Sequence, residues 1–285
     1  MQLALGTVQF GLAYGIAGSG HAVPHAEARR ILDAAWQQGV RTLDTASAYG
    51  DIEERLADLC GPHRFRIVSK VPAIPAGLTP AQAADWAVAS ATRSRQRLGE
   101  RLEALMVHRA EDLLGARGAA VYAALQQWAL ESGTALGASC YGPDELVSVH
   151  GQHRLAIAQL PGNALDQRLP QAFSTALSDV EIHLRSAFLQ GLLLMDAAAG
   201  RSRLPVAGAA LQRWHAWCQA AEVKPLVGAL SVVKSFAAVS QVVVGVETLA
   251  QFEDIAHAWS SSMPRPAPQL ADSDTAVIDP RSWKP

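Results

Sequence analysis

RIVSKVPAIPAGLTPAQAADWAVASATRSRQRLGERLEALMVH, residues 66–108, holds one complete structural unit. RIVSKV (66–71) is a short run rich in β-branched residues, and EALMVH (103–108) is a second apolar run. TPAQAADWAVASATRSRQRLG (79–99) lies between them, with apolar residues at three- and four-residue steps and a closing glycine. The first and last read as strands and the middle as a helix. A strand, a helix and a strand in succession form a parallel pair joined by a crossover.

The unit recurs along the chain. LALGTV (3–8), RTLDT (41–45), TALGASC (134–140), LAIAQLP (155–161), VEIHLRS (180–186) and QVVVGV (241–246) complete a set of eight candidate strands. HAEARRILDAAWQQG and AAVYAALQQWALESG are further helical stretches between them. The strands are nearly continuous apolar runs, as expected of a parallel sheet covered on its outer face by helices and filled within. Eight such units in 285 residues predict a single α/β domain of the (β/α)8 TIM barrel type over residues 1–262. A doubly wound open sheet is the competitor, but no G-x-G-x-x-G follows the first strand. Residues 187–240 read as a loop and two helical stretches, 208–221 and 225–237. The Pro-rich tail 263–285 reads as an extended wrap or a frayed end on or near the barrel. The first strand starts almost at residue 1, so something other than an N-terminal hairpin is expected to close the barrel floor.

Hydrophobic residues make up 49% of the chain and charged residues 18%, the balance of a globular protein. The formal charge is −2, with no clustered basic run, which argues for a small-molecule partner and against nucleic acid. Three scattered cysteines form no metal or disulfide pattern, and no long apolar run or leader pattern occurs, so a cytoplasmic protein off the membrane is expected. The sequence does not set the oligomeric state.

In a barrel of this kind chemistry is carried at the C-terminal strand ends, and four polar side chains end apolar runs there. They are Asp44 and Tyr49 in LDTASAYG, Lys70 in VSKV and His108 in LMVH. Singly each has an ordinary structural reading: a helix cap, a half-buried aromatic, a snorkelling lysine and a core histidine. Together they make a device. A tyrosine exchanging a proton near neutrality needs its pKa brought from about 10 toward 7, a shift of roughly 4 kcal/mol. A lysine ammonium about 4 Å away at an effective dielectric near 20 supplies about that much. A carboxylate keeps the lysine charged and fixed, and a neutral imidazole can orient a carbonyl oxygen.

LALGTVQFG, DTASAYG, VSKV and MVHRAEDL, in this order, resemble the first, second, third and fourth strand regions of the aldo-keto reductases, and the likeness extends over residues 1 to about 260. The resemblance implies that Tyr49 is the proton donor, that Lys70 lowers its pKa, that Asp44 supports Lys70 and that His108 orients the carbonyl. It implies reversible reduction of an aldehyde or ketone, sugar-like carbonyls included, by hydride from NADPH or NADH, with NADPH slightly favoured and no metal. It further implies a cofactor site at Gly6, Thr7, Ser139, Gln159, Arg185, Ser186, Gly245, Glu247 and Gln251. Cys140 and Arg185 depart from the residues most relatives carry. Gly245 and Gln251 stand where NADPH-preferring relatives often place basic side chains, so Arg201, Arg203 or Arg213 would have to reach a 2′-phosphate. Two other readings stay open: a Schiff-base aldolase using Lys70, and a nicotinamide-binding regulatory subunit with little turnover. A hydrolase does not fit, since GASCY lacks the final glycine of G-x-S-x-G.

Overall fold

The computed structural model describes residues 1–16, 18–169 and 177–283. Eight strands, β1 (Gln2–Gly6), β2 (Thr42–Asp44), β3 (Arg66–Val71), β4 (Leu102–Val107), β5 (Ala135–Ser139), β6 (Ile157–Pro161), β7 (Glu181–Arg185) and β8 (Val239–Gly245), close in sequence order into one parallel barrel. Each forms where the apolar runs predict it, with ends shifted by at most two residues.

Helices cover the outside. His25–Gln37 buries Ala28, Ile31, Leu32 and Ala35, a single face at helical spacing. Pro80–Leu98 starts at a reciprocal capping box between Thr79 and Gln82, with proline in its first turn, and stops at Gly99. Gly115–Ser132 ends on Gly133 in the left-handed conformation. In the long interval before β8, Gly208–Ala220 and Pro225–Lys234 are the two expected helices. A third, Ala197–Arg203, is capped by the carboxylate of Asp196. No helix of the described residues is long and apolar enough to cross a membrane.

The apolar interior is divided in two. One large cluster fills the layer between barrel and helices, while Val68, Ala104, Met106 and Ile157 pack together in the second, smaller cluster. Strand alternation makes this division, since every second residue of a barrel strand faces inward. On β7 the inward set is Glu181, His183 and Arg185; on β3 it is Arg66, Val68 and Lys70.

The lowest of these residues close the floor. Arg66 and Glu181, the first residues of β3 and β7, form a two-pronged ion pair across it at 2.5 and 2.7 Å. His183 Nε2 lies 2.8 Å from Glu181 Oε1. His183 and Arg66 together hold the Glu181 carboxyl down at about 2. The tail is folded rather than extended, with helical turns at Pro268–Leu270, Thr275–Ile278 and Pro280–Ser282. Leu270, Val277 and Ile278 are buried, and Asp272 N–H donates to Leu165 O at 2.8 Å, which fastens the tail beyond β6. Its last two residues lie outside the described residues.

Removing one partner of the floor pair leaves the other half-buried with a lesser partner, Arg66 with Glu103 at 3.5 Å or Glu181 with His183. Glu181→Gln is expected to lower unfolding stability by about 2 kcal/mol in urea titration. The Arg66→Met/Glu181→Met double variant should lose less than the sum of the two single variants; additive losses would show that the pair contributes no coupling.

Candidate active site

The C-terminal mouth of the barrel gathers Asp44, Lys70, Gln159 and Arg185 from four strands. Lys70 is 1% exposed and Asp44 5%. The Lys70 ammonium donates to both Asp44 carboxylate oxygens, at 2.7 and 2.8 Å, and to Thr45 O at 2.8 Å. Its three N–H groups are therefore all committed. Gln159 Nε2 also donates to Asp44 Oδ1, at 2.7 Å. Thr7, fully buried, donates both its hydroxyl and its amide to Asp44 O, fastening the end of β1 to that of β2.

Tyr49 is carried on the turn after β2, where its amide donates to Ala46 O. The turn packs against Gly11, where an added Cβ would lie 1.9 Å from Tyr49 O, so the glycine lets the two segments approach. The Tyr49 and His108 rings meet edge to face, with centroids 5.8 Å apart, and Lys70 Nζ lies 5.4 Å from the Tyr49 ring centre.

The electrostatics differ from the sequence-based expectation in one respect. Burial raises Tyr49 above its ordinary value, Asp44 raises it further, and the cation that opposes them is Arg185. Lys70, clasped by Asp44, presents an ion pair rather than a free charge. Burial pulls Lys70 itself below the usual lysine range, with Asp44 opposing. Burial, and then Lys70, push His108 down to about 4, so its ring is neutral at physiological pH.

A cavity of about 450 Å³ opens from this corner. Asp44, Tyr49, Gln159 and Arg185 line it at the catalytic end, and Glu247, Gln251, Asp254 and Ile255 line it toward the helix after β8; Gly6 and Gly245 lie between. Ser186, Ala187, Phe188, Gln190 and Gly191 form another wall. Ser186, Leu189 and Gln190 have φ of 63°, 49° and 53°, a conformation costing about 1–2 kcal/mol per non-glycine residue. Among the described residues, the amides of Ala187, Phe188 and Gln190 have no hydrogen-bond acceptor. The sequence reading assigned Ser186 of RSAFLQG to a cofactor segment, and the structure places that segment on the cavity wall; its left-handed residues were not foreseen.

The remaining cofactor candidates fall into two groups. Ser139 is buried at the end of β5, paired in register with Gln159, and lies off the cavity wall. Glu247 is on the wall, and both its carboxylate oxygens accept from the Ser19 amide, at 3.1 and 3.0 Å. That contact draws the loop after β1 across the cavity; Gly18 comes so close that its Cβ would lie 3.0 Å from Glu247 Oε1. Gln251 Oε1 accepts from the Glu247 amide at 2.8 Å. Arg213 is paired with Asp272, and neither Arg201 nor Arg203 lines the cavity. Among the described residues no group of three or more His, Cys, Asp or Glu could hold a metal.

Comparison with known proteins gives one consistent result. The model of the aldo/keto reductase family matches residues 2–271. A putative aldo-keto reductase from Pseudomonas aeruginosa superposes with a TM-score of 0.65 at 22% identity, covering 90% of this chain and 88% of its own. The holo form of an aldo-keto reductase from Bacillus halodurans gives 0.72 at 16% identity, covering 99% and 95%. A glycerol dehydrogenase from Gluconobacter oxydans gives 0.66 at 19%, covering 92% and 87%. At these identities the structural likeness is one of fold. No curated protein matches.

The His108 ring should titrate near pH 4, well below an ordinary histidine. Nitrogen-15 NMR of the labelled imidazoles, with His108→Gln to assign the signal, measures this directly. An inflection at about 6 or above would show that the ring is more solvated than its packing implies.

Proposed function

Because the chain belongs to the aldo/keto reductase family, we propose that it is an NAD(P)H-dependent oxidoreductase that reduces an aldehyde or ketone to an alcohol. The observation that carries this reading is a protonated phenol lining one end of the cavity, with a neutral imidazole edge-on beside it and a buried ion pair behind. When bound, the cofactor supplies the hydride. The cavity suits such a molecule: its volume is within the usual range for ligand sites, and Ala187, Phe188 and Gln190, whose amides have no acceptor among the described residues, lie along one wall.

In this reading Tyr49 Oη gives its proton to the carbonyl oxygen as negative charge develops there. A phenol whose pKa is raised by burial stays protonated across the neutral range and is the weaker acid for it, so its proton leaves only when the carbonyl oxygen, gaining negative charge, becomes the stronger base. His108, neutral above about pH 4, adds a hydrogen bond to the same oxygen without competing for its proton. Lys70 and Asp44 hold the corner in place and supply a positive end to an otherwise neutral pair. Gly6, Ser186, Gly245, Glu247 and Gln251 line the cofactor's course, Arg185 stands at its catalytic end beside Tyr49, Gln159 presents its free amide oxygen to it, and Thr7 and Ser139 act from behind the wall.

Lys70 is poorly suited to Schiff-base chemistry. A nucleophilic amine must offer a lone pair to the cavity, whereas this nitrogen is enclosed and donates to three oxygens. Cofactor preference follows from the far wall, where Glu247 and Asp254 stand and no basic side chain of the described residues lines that end of the cavity. A 2′-phosphate gains little there.

Tyr49→Phe should fold and bind cofactor normally while kcat falls by about 10² or more, because only the proton transfer is lost. Steady-state kinetics with an aldehyde panel, alongside cofactor titration, checks both halves; turnover retained in this variant removes Tyr49 from its role. NADH and NADPH are expected to bind within about tenfold of one another at fixed ionic strength, read from tryptophan fluorescence. A hundredfold NADPH preference would require a cationic phosphate contact that the Glu247 end of the cavity lacks.

A further inference from the structure

The cavity wall carries four charged side chains among the described residues: Asp44, Arg185, Glu247 and Asp254. Asp44 is neutralised by Lys70, and Glu247 is occupied by the Ser19 amide. Arg185 is the one cation on this wall, and it has no carboxylate partner among the described residues. Other arginines around the mouth and tail each hold one: Arg109 on Asp112 at 2.6 Å, Arg168 on Asp166 at 2.8 Å and Arg281 on Asp279 at 2.6 Å. Arg185 instead donates from Nη2 to Cys140 O at 3.2 Å and lies 4.8 Å from the centre of the Tyr141 ring. Arg281 also lies over that ring, its guanidinium 3.5 Å from the same centre. The remaining N–H groups of Arg185 are not sealed in the interior and open on the cavity.

A charge count at the catalytic corner makes the consequence plain. Lys70 and Asp44 cancel, Tyr49 is a neutral phenol and His108 a neutral imidazole, so Arg185 leaves one uncompensated positive charge. Enclosed charges in folded proteins are normally paired, and a guanidinium presents a planar fork that matches a carboxylate. The opposite end of the cavity is acidic, through Glu247 and Asp254, and does not attract such a group.

Resting on the reductase reading of this site, we propose that Arg185 is a specificity-determining residue that takes a carboxylate on the carbonyl substrate. The preferred substrates are then small aldehyde or keto acids, with the carboxylate within a few carbons of the reacting carbonyl.

The test compares 4-oxobutanoate with butanal, which share a four-carbon chain and differ in the carboxylate, at constant ionic strength. The wild-type protein should favour the acid in kcat/KM by about tenfold or more, mainly through KM. Arg185→Gln should bring the ratio close to one, and Arg185→Lys should keep part of it, since the charge remains without the fork. Butyrate should compete with butanal in the wild-type protein, a measurement that stands even if the variants fail to fold. Equal use of acid and neutral aldehyde by the wild type, or no competition by butyrate, overturns the proposal. Weakened NAD(P)H binding in Arg185→Gln with an unchanged acid-to-neutral ratio also overturns it, and assigns the guanidinium to the cofactor pyrophosphate. Efficient turnover of butanal without acid preference sinks this proposal alone, whereas no cofactor-dependent turnover of either aldehyde sinks the reductase reading beneath it.

Discussion

The ion pair between Lys70 and Asp44, enclosed at the mouth of the barrel, is the constraint around which the upper half of the molecule is arranged. Two charges removed from water must satisfy one another and their remaining hydrogen-bonding capacity, or the corner does not form. Here Thr45 O takes the last lysine proton and Gln159 supplies an extra donor to Asp44. Thr7 ties the Asp44 backbone to β1. The pair thus joins β1, β2, β3 and β6 and fixes where each strand ends relative to the others. The turn carrying Tyr49 leaves β2 immediately after this anchor, so the phenol inherits its position.

That arrangement also decides how the titrating groups behave. A lysine already clasped by a carboxylate presents a dipole, and a dipole lowers a neighbouring phenol less than a bare ammonium does. Burial therefore wins at Tyr49, and the proton stays on until an oxygen acquiring charge arrives. His108 answers to the same burial in the opposite sense, losing its proton. Two neutral donors in a corner with one unpaired guanidinium make a field suited to a developing oxyanion.

The barrel was legible because parallel strands buried on both faces leave continuous apolar runs, and because helix caps such as Thr79 with Gln82 are local. Asp44, Tyr49, Lys70 and His108 were legible for the related reason that each ends, or closely follows, one of those runs. What escaped depends on contacts between residues remote in sequence. Arg66 meets Glu181 across 115 positions, and Ser19 meets Glu247 across 228. The left-handed residues Ser186, Leu189 and Gln190 carry no glycine signal, since the surrounding packing holds them there. The helical segments of the tail are only three and four residues long, too short to show a helical period in the sequence.

The central claim is that this corner moves a hydride directly between a nicotinamide and a carbonyl carbon. Reduction of an aldehyde with cofactor deuterated at nicotinamide C4, followed by mass spectrometry and NMR of the alcohol, tests it most directly. The account predicts one deuterium at the carbinol carbon, delivered from a single face of the ring, with none exchanged into water. Deuterium appearing in the solvent, or product formed without oxidation of the cofactor, would contradict it.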